Sequence, residues 1–600
     1  LAWEPDPKSY LQQKGVQVSQ LNNFGNLITK SHSAKDFVRN VFDPVSALGA
    51  FAIADEQYQV ANLPAVDGTD PTTKIPTLFV DPNRVIKDKD VKTSGASWDT
   101  PLDNVSEAVK DMEEYIKQHN VTSKTQILVK QGNITTAGSS SYLYDTTTGE
   151  ANLESGAIHL LSNMLMYGGY SSSLTGTTVT DTKDASGKTI VARNPKENVT
   201  RINGNIIGNY KYNSVHCVIF PNVQNAVLDG FYISYGNAEK PDDPNYNNDA
   251  PADSSYSYRL AYGYGAGIFI GARSRSDRTD MTGNEVRNCV ISNCWAPMGG
   301  AAVFVSGDNY LNDNSTLQQA ALKMENCIIH NNGVRNKQDK NTVNQWRQSA
   351  GIIEAVGNAT ITMNHCTVVN NVGTVFSAYT DKGGTPTISV TNSAIYSNST
   401  DSLTDRTQLK TDGSNLAALY YNGTNGATPT GSNNQIDLLY KTKGIGAAST
   451  VAFKATFGND RGNDKTYPRF VNPVRTIFVQ RNADDPTLYG GTIDYTPMNM
   501  NPMVNAASVA DNEDVTTETD FVLNHRNYGG KPDIGAIENT TQPENGSTYF
   551  VRTPETGGND NNDGLSWATA FATIGHALDK AKTGKKSVWV AQGVYYENLT

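Results

Sequence analysis

This 600-residue chain has few cysteines, little charge and no long apolar run, and each shortage removes a class of protein. Its five cysteines, Cys217, Cys289, Cys294, Cys327 and Cys366, are an odd and sparse set, so no disulfide framework holds the fold. They form no Cys-x-x-Cys pair with matching histidines, which argues against a zinc site. Only 18% of residues are charged, and 49 basic against 60 acidic residues leave a net charge of −11 with no basic block. Nucleic acid is therefore not an expected partner, and an anionic membrane or polyuronate would need a local basic groove. No stretch of about 18 apolar residues occurs, so no membrane span is expected. Neither an initiating Met nor a signal peptide stands at Leu1.

What is present is repetition on two scales. Thr77-Leu-Phe-Val-Asp-Pro, Gly95-Ala-Ser-Trp98 and Gln126-Ile-Leu-Val-Lys-Gln-Gly132 return in order as Tyr549-Phe-Val-Arg, Gly564-Leu-Ser-Trp567 and Ser587-Val-Trp-Val-Ala-Gln-Gly593. The two tryptophans are 469 residues apart. Asp36-Phe-Val-Arg-Asn40 with Leu48-Gly-Ala-Phe51 is echoed by Asp520-Phe-Val-Leu-Asn524 with Ile534-Gly-Ala-Ile537. An opening and a closing signal each occur twice. The expectation is a unit's tail over 1–54, a linker over 55–76, a whole unit over 77–538, a linker over 539–547, and a truncated second unit over 548–600.

Inside the long unit a shorter motif recurs: Val286-Arg-Asn-Cys289-Val-Ile-Ser-Asn-Cys294, Met324-Glu-Asn-Cys327-Ile-Ile-His-Asn-Asn332, Met363-Asn-His-Cys366-Thr-Val-Val-Asn-Asn371 and Val390-Thr-Asn-Ser393-Ala-Ile-Tyr-Ser-Asn398. Leu228-Asp-Gly-Phe-Tyr-Ile233 is an earlier member. The alternation predicts a strand with the small and apolar residues on one side and asparagines in the following turn. A second series beginning at Gly265, Gly300, Ala350 and Gly373 predicts further short strands. Two or three strands per repeat, at spacings of 27 to 39 residues, predict a right-handed parallel β-helix with coils about 4.8 Å apart. Cys289, Cys327, Cys366 and Ser393 would make one inward ladder, and Asn332, Asn371 and Asn398 a turn ladder. Apolar residues at 105, 108, 109, 112, 115 and 116 predict an amphipathic capping helix near 104–117, and Ile574–Ala581 repeats it.

The run Gly557-Gly-Asn-Asp-Asn-Asn-Asp-Gly-Leu-Ser-Trp-Ala-Thr-Ala-Phe571 resembles the opening of right-handed parallel β-helix domains of the pectate-lyase-like superfamily, common in large secreted and surface proteins of Gram-negative bacteria. Pro468-Arg-Phe-Val-Asn-Pro473, Asn501-Pro-Met-Val-Asn-Ala506 and Asp533-Ile-Gly-Ala-Ile-Glu538 are similar to its close. The resemblance covers 77–538 as a unit and implies an all-β solenoid in tandem units at the cell surface. It does not imply a reaction. Residues 81–94 lack the Gly-Asn-Asp turn of the family pattern. Asn559-Asp-Asn-Asn-Asp-Gly564 clusters oxygen ligands in the manner of a calcium loop, yet no glutamate follows at its twelfth position, so it reads as an Asx turn and no cofactor is expected.

The superfamily includes polysaccharide lyases and glycoside hydrolases, which need a Lys or Arg beside acids, or paired carboxylates on adjacent coils. Asp229, Glu325 and Glu354 read as scattered, and His330 and His365 fall at different offsets. No catalytic constellation follows from the sequence. The candidate site is instead the long insertion 237–264, with Tyr246, Tyr256, Tyr258, Arg259 and Tyr262, and Tyr264 at its end. Exposed tyrosines suit sugar rings or a protein partner, while the same rings would also serve to pack the loop down. The expected function is a non-catalytic surface module binding glycans or a surface protein: an adhesin, stalk or binding array. The alternatives are a polysaccharide lyase or glycoside hydrolase and a subunit of an outer-membrane surface complex.

Overall fold

The computed structural model describes residues 63–136, 157–205, 213–238, 263–307, 318–334, 351–399, 419–436, 470–473, 494–540 and 548–599, with shorter breaks inside these stretches. Three long sheets dominate. Sheet 1 opens with Ala65–Asp67, antiparallel to Lys74–Val80. Eight further strands then stack in parallel, from Thr125–Lys130 to Thr430–Ser432. Sheet 2 runs from Ile158–His159 to Tyr420–Tyr421 through seven parallel strands, and sheet 3 from Gly132–Thr135 to Gln435–Ile436 through eight. From Val218 onward the chain visits sheet 2, sheet 1 and sheet 3 in turn and begins again. This is a parallel β-helix. Strands begin at Ala65 and Lys74, inside the segment 55–76 expected to be a linker, because the first strand covers the edge of the second.

The recurring motif does not form the single strand that its alternation predicts. It straddles a corner: Val286 ends sheet 1, Asn288 turns, and Val290 begins sheet 3. Asn288, Asn326, Asn392 and Asn433 hold φ between 49° and 57°, and His365 does so at 49°. Asparagine tolerates this left-handed conformation better than other residues with a β-carbon. A second left-handed corner follows sheet 3 at Asn293, Asn331, Asn370 and Ser397. The apolar residues therefore face one lumen from two sheets. Val286, Met324, Met363 and Val390 stack from sheet 1, and Ile291, Ile329, Val368 and Ile395 from sheet 3, all fully buried. Cys289, Cys327, Cys366 and Ser393 line the corner between them.

Just past the second corner, asparagines point inward and bond one another coil to coil. Asn371 Oδ1 accepts from the Asn332 N–H at 2.9 Å, and Asn398 Oδ1 accepts from the Asn371 N–H at 3.0 Å. The Asn371 side-chain amide also donates to Ile329 O and Val369 O. The amide thus satisfies carbonyls that a turn would otherwise leave unpaired in the core.

One end of the lumen is closed by helix α1, Val105–His119. Asn104 caps it by accepting from the N–H groups of Ser106 and Glu107. Val105, Ala108, Val109 and Met112, spaced for one helical face, join Leu78, Ile127 and Ile158 in the core. Helix α2, Ile574–Lys582, buries Ala577 beside Val551 and Phe571.

The two opening motifs share one hydrogen-bond frame. Phe79 N–H donates to Gly95 O and Phe550 N–H to Gly564 O, each at 2.8 Å. Trp98 meets Phe79 edge-on at 4.7 Å, and Trp567 meets Phe550 at 4.8 Å. Gly95 and Gly564 have φ of 66° and 68°. A β-carbon there would strike Leu78 or Phe571, so glycine is required at both.

The closing motifs form a strap. Asp494–Pro497 pairs with Phe470–Asn472, and residues 503–507, 521 and 534–537 then pack on the outer face of sheet 3. Met503, Phe521 and Ile534 cover Val290, Ile328, Val369 and Tyr396. Asn392, Asn433 and Asn326, at the first corner, donate to Ser508 O, Ala506 O and Thr519 O.

Replacing Asn371 with alanine removes five side-chain hydrogen bonds from a fully buried site. The expected loss of stability is about 2–4 kcal/mol. It is read as a fall in the urea midpoint, and a midpoint shift near zero would show that the ladder contributes little.

Candidate functional site

The outer faces of the three sheets differ, and the difference locates the site. Sheet 3 lies under the strap. The outward residues of sheet 2, including Ile219, Phe269, Phe304 and Glu354, are buried. His216, Phe269 and Phe304 follow one another there with ring centroids 4.9 and 5.5 Å apart. Sheet 1 begins covered as well, where Trp98, Leu174 and Ala192 pack over Phe79, Leu128 and Tyr167. Beyond Val227 its outer face opens. Strands Met281–Arg287, Ala320–Glu325, Ala359–Asn364 and Thr387–Thr391 alternate buried apolar residues with partly or fully exposed polar ones.

On this open face the register brings charge together. Asp229, Arg287 and Glu325 are neighbours on three successive coils, as are Glu285 and Lys323 in the adjoining row. Asp229 is the hub. Its Oδ1 pairs with Arg193 Nη2 and accepts from Asn288 Nδ2 at 2.9 Å, and its Oδ2 lies 3.3 Å from Arg287 Nε. Arg287 Nη1 reaches Glu285 at 3.5 Å, and Lys323 Nζ reaches Glu325 at 3.0 Å. Further along, the same rows carry Thr362, Asn364, Ser389, Thr391, Thr430 and Ser432. A charged zone thus grades into a hydroxyl zone.

Arg193 enters from the chain between Thr189–Ile190 and Thr200–Asn203. Its Nε donates to Gly168 O at 2.8 Å, and its guanidinium lies 5.1 Å from the Tyr167 ring and 6.0 Å from the Tyr170 ring. Gly230 makes room: a β-carbon there would sit 2.5 Å from Arg193 Nη2. Burial works against the charge on Arg193 and Arg287, but Asp229, together with Tyr170 and Tyr167 at Arg193 and with Tyr167, Glu285 and Glu325 at Arg287, outweighs it and holds both above the ordinary guanidinium range. Burial likewise opposes the Lys323 charge, and Glu325 with Glu285 outweighs it. Burial pushes Tyr170 up to about 12, with Arg193 opposing.

Three cations therefore meet three carboxylates on this face. Asp229 Oδ1 takes two hydrogen bonds, from Arg193 and Asn288, and Oδ2 faces Arg287 as an ion pair. A hydrolase needs one carboxyl held protonated and a second free to act as base or nucleophile. Here each acid sits beside a cation.

The sequence-based candidates fare differently. Tyr246, Tyr256, Tyr258, Arg259 and Tyr262 lie outside the described residues. Tyr264 is described, and its ring packs 4.8 Å from Phe304, which matches the packing role for that ring. Asp229 and Glu325 are not scattered: they flank Arg287 in one row, hidden in the sequence by unequal insertions between coils. Glu354 does stand apart, on sheet 2 against Gly299, with Oε2 accepting from Gly351 N–H. His330 ends a sheet 3 strand and His365 turns a corner, so they do not form a pair. The residue after each motif's leading apolar position, Asp229, Arg287 and Glu325, was the signal that could have found the row. For Arg193 the sequence offered none. In the 559–564 loop, Asp560 Oδ1 accepts from Ala572 and Thr573 N–H, and Asp563 Oδ1 from Leu565 N–H and Thr569 Oγ1. These are the bonds of an Asx-rich turn.

No family model matches the sequence, and no curated protein matches it either. Among solved structures, the crystal structure of pectate lyase Pel9A aligns over 77% of this chain and 96% of that one, at 11% identity and a TM-score of 0.28. The fold assignment rests on the strand order above rather than on this likeness.

Asp229→Ala leaves the largely buried Arg193 without a carboxylate and Arg287 with Glu285 alone. The expected cost is about 3 kcal/mol in urea unfolding. Lys323→Ala, whose side chain is 48% exposed, should change stability by no more than about 0.5 kcal/mol. Equal effects from both would contradict a hub at Asp229.

Proposed function

We propose that this chain is a non-catalytic extracellular surface protein, an adhesin or stalk-like β-helix array that binds glycan along the open face of sheet 1. One observation carries the reading: the open face, among the described residues, is a flat polar row in which every carboxylate of the charged zone is matched by a cation. Such a face offers hydrogen-bond donors and acceptors at coil spacing without a free acid and base. Its local neutrality favours an uncharged glycan over a polyuronate. The insertion with Tyr246, Tyr256, Tyr258, Arg259 and Tyr262 remains a second proposed contact, for a sugar or a protein partner. Placement at a Gram-negative cell surface is supported by the resemblance of the opening motif and by sparse charge. Among the described residues no helix is long and apolar enough to cross a membrane. A role as a subunit of an outer-membrane surface complex is compatible with this reading.

A polysaccharide lyase is the second reading, and Arg287 and Lys323 beside Glu285 and Glu325 favour it over a hydrolase. One experiment separates the two. The full chain is incubated with neutral and uronate polysaccharides, and retention and new unsaturated chain ends are both recorded. Retention on neutral glycans without cleavage, weakened several-fold by Thr362→Ala with Ser389→Ala, is the expected result. Unsaturated ends that vanish in Lys323→Ala would make the protein a lyase. Retention unchanged by the double substitution but lost in Tyr256→Ala would move the site to the insertion.

A further inference from the structure

The strap on sheet 3 is held by a buried ionic cluster with more acid than base. Asp520, Asp533 and Glu538 share one guanidinium, Arg526, and none of the four is more than 1% exposed. Asp533 Oδ1 accepts from Asn505 N–H at 2.6 Å and its Oδ2 from Asn539 N–H at 2.8 Å. Asp520 accepts from the N–H groups of Val522, Asn524 and Glu538. Glu538 Oε2 accepts from Asp533 N–H at 2.8 Å and lies 3.8 Å from Arg526 Nη1, while Oε1 has no hydrogen-bond partner. Arg526 Nη2 donates to Asn326 Oδ1, Gly535 O and Ala536 O. Two histidines face the strap from sheet 3: His365 Nδ1 is 2.9 Å from Asp533 O, and the His330 ring is 5.7 Å from Tyr495.

With all three acids ionised, this dry interface would hold two uncompensated negative charges, which low-dielectric surroundings strongly oppose. We propose that the strap is a proton-dependent clasp, docked while the carboxyl cluster retains protons and released as it loses them, uncovering the apolar outer face of sheet 3. The electrostatics agree. Burial raises Asp533 to about 7 against the pull of its two backbone donors and Arg526. Burial, reinforced by Asp533, holds Glu538 well above the carboxyl range, and burial raises Asp520 with Arg526 opposing.

Each raised acid binds more protons docked than released, so its contribution to docking is complete below about pH 4 and is lost as pH rises through the raised value. The histidines act the other way. Burial, with Arg526 adding to it, holds His365 well below its ordinary value, and burial lowers His330 to about 4. Their contribution is complete above about pH 6.5 and is lost as pH falls. Between about pH 4 and 6.5 the two trends oppose one another. Above about pH 6.5 only the acids still titrate, and docking weakens.

Hydrogen exchange on the full chain tests this, with rates corrected for intrinsic pH dependence and the amides of Met281–Arg287 as an internal reference. Strap amides at 503–507 and 533–538 should lose protection by up to about tenfold per pH unit for each proton released above about pH 6.5, while the reference holds. Glu538→Gln, which mimics the protonated acid, should keep the strap protected at about pH 8.5 and flatten the slope by about one proton. Constant wild-type protection, loss of strap and reference together, or a Gln variant weakened equally at every pH with its slope unchanged would each overturn the proposal. If the variant does not fold, infrared spectra of the wild type decide. A protonated-carboxyl C=O band persisting at about pH 6.5 supports the clasp, and its absence overturns it.

Discussion

Everything in this molecule depends on the corner residue that lets two parallel strands meet at an angle without losing hydrogen bonds. Left-handed backbone at Asn288, Asn326, His365, Asn392 and Asn433 turns each coil from sheet 1 into sheet 3 within a residue or two. The turn leaves backbone groups facing a neighbouring coil rather than water, so they must be satisfied by stacking. The inward asparagines do this at the next corner, where Asn332, Asn371 and Asn398 bind one another and the carbonyls of the coils around them. Because each coil answers only to its neighbours, the same solution repeats along the axis.

That regularity leaves three faces to be disposed of separately. An all-exposed solenoid would present apolar outer residues such as Val290, Ile328 and Val369 to solvent, and the strap covers them. Sheet 2 buries its outward Phe269 and Phe304. Sheet 1 is left polar, and its charges are spent on one another around Asp229. The functional proposal follows from this division: among the described residues, the open face has hydrogen-bonding capacity in rows, and the carboxylates of its charged zone lie beside cations.

The strap sets a different electrostatic problem from the open face. On sheet 1 each carboxylate has a cation, and Glu285 and Glu325 keep partial solvent; beneath the strap three acids share Arg526 in the dry. The earlier closing echo makes the contrast within the sequence itself. Aligned on Leu48-Gly-Ala-Phe51 and Ile534-Gly-Ala-Ile537, Ala47 and Ala52 stand where Asp533 and Glu538 stand. Asp533 and Glu538 therefore belong to one closing segment, whereas Asp520 is matched by Asp36 in the echo.

Local pattern determined much of this. The period of the Asn-Cys motif specified stacked coils, the inward Cys289–Cys327–Cys366–Ser393 row and the asparagine ladder, because residues that repeat along a solenoid must stack. The spacing of Val105, Ala108, Val109 and Met112 specified the capping helix, since 3.6-residue periodicity is a local property. The same pattern misread one strand where there are two, because alternation across a left-handed corner looks like alternation along a strand. Only tertiary structure decided the rest. Insertions of unequal length hid the Asp229–Arg287–Glu325 row, Arg193 arrives from a remote segment, and residues 503–507, 521 and 534–537 lie on sheet 3 by contacts that skip more than a hundred positions. Sequence records what each coil must repeat, but which faces end covered or open depends on where long excursions return, and the folded chain alone fixes that.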